Sequence, residues 1–174
     1  MSGIVGDNTA RASGVIASAG GGKILQVVNA IKTDSSTFGT SWADVSNLSV
    51  AITPSDTSSK IYIDCRVMLT ASSGAFLKLL RDVGGAGYVD STYIGETVGS
   101  RVPSINMIQD WGHMCAGIGY LDTTNTTSEV TYKLQAKGDH ATHWCGVNRG
   151  KYPDNNTNDW GRGASSITAY EVGA

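Results

Sequence analysis

The stretch HATHWC places His140, His143 and Cys145 within six residues, and His113 and Cys115 stand one residue apart upstream. Imidazole and thiolate are the ligands zinc prefers, but structural zinc sites draw them from two knuckle-like turns. If HATHWC lies on a strand, His143 and Cys145 share one face while His140 points to the other, so no metal is expected there. Asp154, Asn156 and Asn158 reproduce the first three ligand positions of a calcium loop. Position six is then Asp159 instead of Gly, position twelve is Ser165 instead of Glu, and no helical pattern flanks the segment. A phosphate loop at Gly22-Lys23 fails too, because Ala17 replaces its first glycine and Ile24 replaces the magnesium-binding Ser or Thr.

For catalysis the chain has no G-x-S-x-G elbow, no H-E-x-x-H and no Cys-His hydrolase signature. Paired carboxylates for glycoside hydrolysis leave no sequence motif, so an enzyme acting on polysaccharides stands as a lesser alternative. No catalytic residue, cofactor or metal ligand is assigned. The remaining chemistry is aromatic. Trp111, Trp144, Tyr152 and Trp160 lie in or beside long loops, near His143, Asp154 and Asp159. Rings next to acids and amides suit a sugar, which stacks its apolar face and hydrogen-bonds through its hydroxyls. Rings at loop bases equally close a core or fill a subunit interface.

The scaffold for these residues is read from composition and alternation. The chain has 174 residues, enough for one self-sufficient core. Gly, Ser and Thr make up about a third of it and charged residues only 16%, a balance found in turn-rich all-β proteins. The net charge is −2, with 13 basic residues scattered among 15 acidic ones, which argues against nucleic acid. Cys65, Cys115 and Cys145 cannot all pair within one chain and show no CxxC spacing, so no disulfide framework is expected. The N-terminal segment lacks the basic start and apolar core of a secretory signal, and no apolar run reaches the roughly twenty residues of a membrane helix.

Alternation predicts about eight strands. In Ser59–Leu69, Ile61, Ile63, Cys65, Val67 and Leu69 share one face; in SEVTYKLQAK, Val130, Tyr132, Leu134 and Ala136 do. Weaker patterns cover 23–32, 48–53, 75–82, 112–121, 143–147 and 166–172, bounded by turn-rich segments such as ITPSDTSSK and DVGGAGY. Regular short strands without helical periodicity predict an all-β, two-sheet antiparallel sandwich, jelly-roll-like. Two long loops, 84–110 and 149–163, stand apart, and loops of that length in a compact domain tend to be functional or ordered by a partner.

The phrases GGKILQVVNAIKTDSSTFGTSWADVSNLSVAITPSDTSSKI, LKLLRD, GYLDTTNTTSEVTYKLQAK and SSITAYEVGA, in that order, resemble the small β-domain of tail-fibre and other virion-surface proteins of marine bacteriophages. The likeness spans residues 21–174, while THWC, DWGHMC and the Asn-rich loop depart from the pattern. It implies a non-enzymatic virion protein, commonly a homotrimer, assembled in the host cytoplasm alongside capsid or tail subunits. It carries no catalytic residues. Strand 75–82, apolar on both faces through Phe76, Leu77, Leu79 and Leu80, suits burial against another subunit.

Residues 1–20 then read as an extended arm ahead of a sandwich at 21–174. The arm is too poor in bulky apolar residues to fold alone, but it suits addition to a groove or sheet edge of another virion protein. It carries SGIV at 2–5 and SGVI at 13–16, so Ile4, Val5, Val15 and Ile16 are the candidate anchoring residues. The two copies either make equivalent contacts on neighbouring subunits or reflect chance in a Gly- and Ser-rich segment. The expected function is a knob, head fibre or decoration. The alternative is a tail-fibre domain that recognises a host surface glycan through its loops, with no membrane insertion; a free carbohydrate-binding module is the remoter one.

Overall fold

The computed structural model describes residues 23–108, 112–150 and 161–174. Among these the chain is all-β: β1 (Ile24–Lys32), β2 (Ser36–Phe38), β3 (Ala43–Ile52), β4 (Lys60–Ala71), β5 (Ala75–Val83), β6 (Val89–Asp90), β7 (Asn106–Ile108), β8 (Gly112–Asp122), β9 (Val130–Gly138), β10 (Cys145–Val147) and β11 (Ser165–Val172). No helix occurs among the described residues, so none is long and apolar enough to cross a membrane.

Two antiparallel sheets form a sandwich. One runs β1-β11-β4-β10-β2, with β8 along the other side of β4; the second runs β3-β9-β5-β6, with β7 also beside β5. Strand β4 is the spine of the first sheet. Its first half pairs β11, its last three residues pair β10, and β8 follows it from Ile61 to Ala71. Successive long strands alternate between the sheets, an order compatible with a jelly roll.

The alternating residues become the core. Ile61, Ile63, Cys65, Val67 and Leu69 of β4 face Val130, Tyr132, Leu134 and Ala136 of β9 and Leu77 and Leu79 of β5, all fully buried. The eight expected strands are present, and three further short ones occur outside them, β2 between the first two expected strands and β6 and β7 within the 84–110 loop. Strand β3 starts five residues before the expected Leu48. Its alternation is broken by a bulge between Asp44 and Ser49, where Asn47 takes φ 63°, a left-handed conformation that asparagine tolerates better than most side chains. The turn in DVGGAGY uses positive φ at Gly84, Gly85 and Gly87.

The two-faced apolar strand has an explanation within one chain. Leu80 is only 7% exposed, and the segment after β5 folds back over it: β6 pairs at Leu80 and Arg81, and the Tyr88 ring lies 3.8 Å from Nζ of Lys133, the cross-strand neighbour of Leu80. Burying Leu80 therefore needs no second subunit.

The sheets are pinned together by a carboxylate. Asp122 at the end of β8 is 2% exposed and accepts from Arg81 of β5 at 2.6 and 2.8 Å, from the Tyr132 hydroxyl of β9 at 2.8 Å and from the Tyr120 hydroxyl at 2.9 Å. Burial, together with the nearby Asp122 charge and this hydrogen bond, pushes the Tyr132 hydroxyl far above its ordinary range, so it stays a donor. Removing the acid would leave the guanidinium and the buried Tyr132 hydroxyl without their acceptor, while the Tyr120 hydroxyl would keep Thr92. Asp122→Ala is expected to cost about 3–5 kcal/mol in urea unfolding, whereas Thr92→Val, at the exposed rim beside Tyr120, is expected to cost under about 1 kcal/mol. Equal costs for the two variants would show that the pin is dispensable.

Candidate functional site

The register gives the sandwich two distinct ends. At one, Ile24 of β1, Lys60 of β4 and Val172 of β11 lie together, with Asp122 beside Ile61. At the other, Ala71, Gly112 and Cys145 are aligned across the first sheet, and Ala75, Gly138 and Ile108 across the second. The chain enters the domain at the first end. Twelve-residue β4 runs the whole distance, roughly 40 Å at the usual rise per strand residue.

The far end is built from turns locked to one another through the backbone. The Gly138 amide donates to the Gly39 carbonyl at 2.7 Å and that of Asp139 to the Gly74 carbonyl at 3.0 Å. The Asp139 carboxylate accepts from the Ser73 hydroxyl at 2.7 Å and lies so close to Gly74 that a Cβ there would sit 2.8 Å from its oxygen. Burial pushes the Asp139 carboxyl upward, but the Ser73 hydroxyl, the backbone amides of Gly74 and Asp139 and the His143 charge outweigh it and hold the group below its ordinary value. The turn before β10 closes with the His143 amide donating to the His140 carbonyl at 3.2 Å, and the two imidazole rings lie 5.2 Å apart.

Of the residues expected at a ligand or partner surface, His143 and Trp144 fall on this end. Trp144 is fixed by a two-way contact with Ser72, whose amide donates to its carbonyl at 3.0 Å and whose Oγ accepts from its amide at 3.1 Å. Its half-buried indole has the Arg149 guanidinium 4.9 Å from the ring centroid, and Arg149 is steadied by Thr37 Oγ1 at 3.0 Å. Trp111, Tyr152, Asp154, Asp159 and Trp160, the calcium-like loop, and Ile4, Val5, Val15 and Ile16 of the arm lie outside the described residues.

The His/Cys arrangement differs from the expected one. Strand β10 starts only at Cys145, so exposed His143 belongs to the turn and shares no strand face with it. The Cys145 thiol points into the core, donates to the Phe38 carbonyl at 3.5 Å, and is pushed up to about 11 by burial. Cys65 is likewise buried and raised by desolvation and by Asp64, while Cys115 is exposed. Neither buried thiol is poised as a nucleophile. Among the described residues no three His, Cys, Asp or Glu side chains gather as a metal set.

A second group at this end was not legible from spacing. Register sets Met107 of β7, Phe76 of β5 and Lys137 of β9 side by side on the outer face of the second sheet. The Lys137 ammonium lies 5.8 Å from the Phe76 ring and 5.6 Å from Trp42, just ahead of β3, and Lys78 lies 4.8 Å from the same indole. Beside the row a cleft of about 690 Å³ is lined by Phe76, Met107, Glu96, Ser100, Arg101 and Ser104. Alternation alone marks Phe76 and Lys137 as outward-facing; only strand pairing brings them together.

No family model matches the chain, and no curated protein does. Among solved structures it is similar to one described as the structure of infectious bursal disease virus, Gx strain, with 11% identity and a TM-score of 0.37 over 86% of this chain and 42% of that one. It is also similar to the VP2 subviral particle of infectious bursal disease virus, with 17% identity and a TM-score of 0.32 over 86% of this chain and 37% of the other. The chain thus spans less than half the length of either.

Chelation tests the histidine turn. Two imidazoles without a third ligand should not hold zinc tightly enough to matter to folding, so thermal melts in excess EDTA are expected to match those in buffer. A lower melting temperature that added zinc restores would mean that the turn completes its ligand set with groups outside the described residues.

Proposed function

We propose that this chain is a non-enzymatic surface protein of a bacteriophage particle, held by the arm at 1–20 and presenting the sandwich outward. The observation that carries this reading is the polarity of the domain. The arm joins at the Ile24 end, and the aromatic and basic side chains of Trp42, Phe76, Lys137, Trp144 and Arg149 collect at the other. A domain tethered at one end and decorated at the opposite one is arranged for display. The sequence resemblance over residues 21–174 supports the same reading.

We further read the protein as a homotrimer. Support comes from the outer face of the first sheet, where Ile24, Val27 and Ile31 of β1, Tyr62 of β4 and Leu121 of β8 are all exposed. Five large apolar side chains on one sheet face are more than a lone soluble domain usually leaves open. The alternative, a tail-fibre domain that reads a host glycan, is favoured by the aromatic far end and differs in location on the particle.

Two measurements test the assignment. Light scattering at micromolar concentration is expected to give the mass of three chains; one chain's mass, unchanged on concentration, would dismiss the trimer. Deleting residues 1–20 is expected to leave the melting temperature within a few degrees of the full chain, since the buried cluster of the described residues is drawn from β1 to β11, and to abolish incorporation into particles. Normal incorporation of the truncated chain would show that the sandwich docks by itself.

A further inference from the structure

We propose that the cleft between the 95–107 segment and the outer face of β5 binds an acidic saccharide, a sugar bearing a carboxylate or phosphate. The sugar's apolar face lies on Phe76 and Met107, and its anion meets Arg101 and Lys137. The floor has the chemistry for a sugar ring. Met107 is 47% exposed and Phe76 half-buried, side by side across paired strands, and a pyranose presents C–H groups that such a surface desolvates without stranding a hydroxyl. The walls supply the polar contacts, with Glu96, Ser100 and Ser104 lining the same space. Its volume of about 690 Å³ falls in the range of small-molecule sites, about 300–1,000 Å³.

Charge selects the class of sugar. Four cations border this face, and two are already neutralised: Lys78 by Asp90 at 2.8 Å and Lys133 by Asp44 at 2.8 Å. Lys137 and Arg101 form no ion pair among the described residues. Lys137 instead sits between two aromatic rings, and a cation–π contact leaves an ammonium's remaining donors available for an anion. Glu96 and Arg101 are the charged residues on the lining and offset one another, so the excess positive charge comes from Lys137, which stands beside Phe76 at the edge of the cleft. A nucleic acid would need a longer track of cations than these two. Trp42, within reach of the same ammonium, extends the apolar surface beyond the cleft for a neighbouring sugar unit.

The site is independent of the particle assignment, and the isolated full chain is the sample. Calorimetric titration with trigalacturonic acid, mannose 6-phosphate and maltotriose separates carboxylate, phosphate and neutral sugars. At least one acidic sugar is expected to bind about tenfold or more tightly than maltotriose, and to weaken as salt is raised. Binding of the carboxylate probe alone, the phosphate probe alone, or both identifies the anion. Arg101→Gln and Lys137→Gln are each expected to weaken that binding by about tenfold. Met107→Glu, an exposed position that should not disturb folding, is expected to abolish it, and Lys60→Gln at the opposite end to leave it unchanged. No acidic binding at about 10 mM ligand, equal binding of maltotriose, or acidic binding that survives both Arg101→Gln and Lys137→Gln would overturn the proposal. Loss of particle incorporation on arm deletion, by contrast, reads only the anchoring role.

Discussion

One buried charge holds the two sheets in register. A sandwich core made of Ile, Val, Leu and Ala is held by non-directional attraction, which leaves some freedom in how the two sheets align. Asp122 removes that freedom. It belongs to the first sheet through β8, and its four hydrogen bonds include donors from β5 and β9 of the second. Charge-assisted bonds of fixed geometry tolerate no slip, and a displaced Asp122 would be a carboxylate in a dry interior with no partner. The network sits at the end of the domain where β1 begins.

The opposite end is held by different means. There the connections are backbone to backbone, from Gly138 to Gly39 and from Asp139 to Gly74, with Ser72 and Ser73 fastening the turn before β10. A second polar knot steadies the approach to it. Asn148, left-handed at φ 56°, donates to the Lys32 carbonyl at 2.8 Å and accepts from Ser165 at 2.6 Å, while the buried Lys32 ammonium reaches Asp34 and Ser46. Side chains displayed at this end therefore stand on a platform whose stiffness does not depend on them. Substitution of Trp144 or Met107 changes what the surface offers without loosening the turns beneath.

How much of this could be read from the chain alone follows from what alternation encodes. β4 and β9 were plain because each buries one face and wets the other, the case in which period two is unambiguous. The first half of β3 was hidden because the bulge at Asn47 shifts the alternation mid-strand. β2, β6 and β7 are two or three residues long, too short for any period to show. At the candidate site, Trp144 and His143 were legible as residue types near a loop. The Met107, Phe76 and Lys137 row was not, because its members are dozens of residues apart and meet only through pairing of β7, β5 and β9.

That difference bears on how such a surface can change. Residues gathered from one loop vary together, since altering the loop's length or path moves them all. A row assembled across three paired strands behaves otherwise: each position projects from a backbone whose place is fixed by the ladder and by the core beneath, with Leu77, Leu79 and Ala136 fully buried on the inner side of the same strands. Outward positions can then be exchanged one at a time, at a cost set by their own contacts and not by the fold. Binding at such a row loses little side-chain and no backbone freedom, so modest contacts suffice for recognition. A ligand held against the exposed face of these strands would thus gain from the rigidity that Asp122 and the locked turns provide.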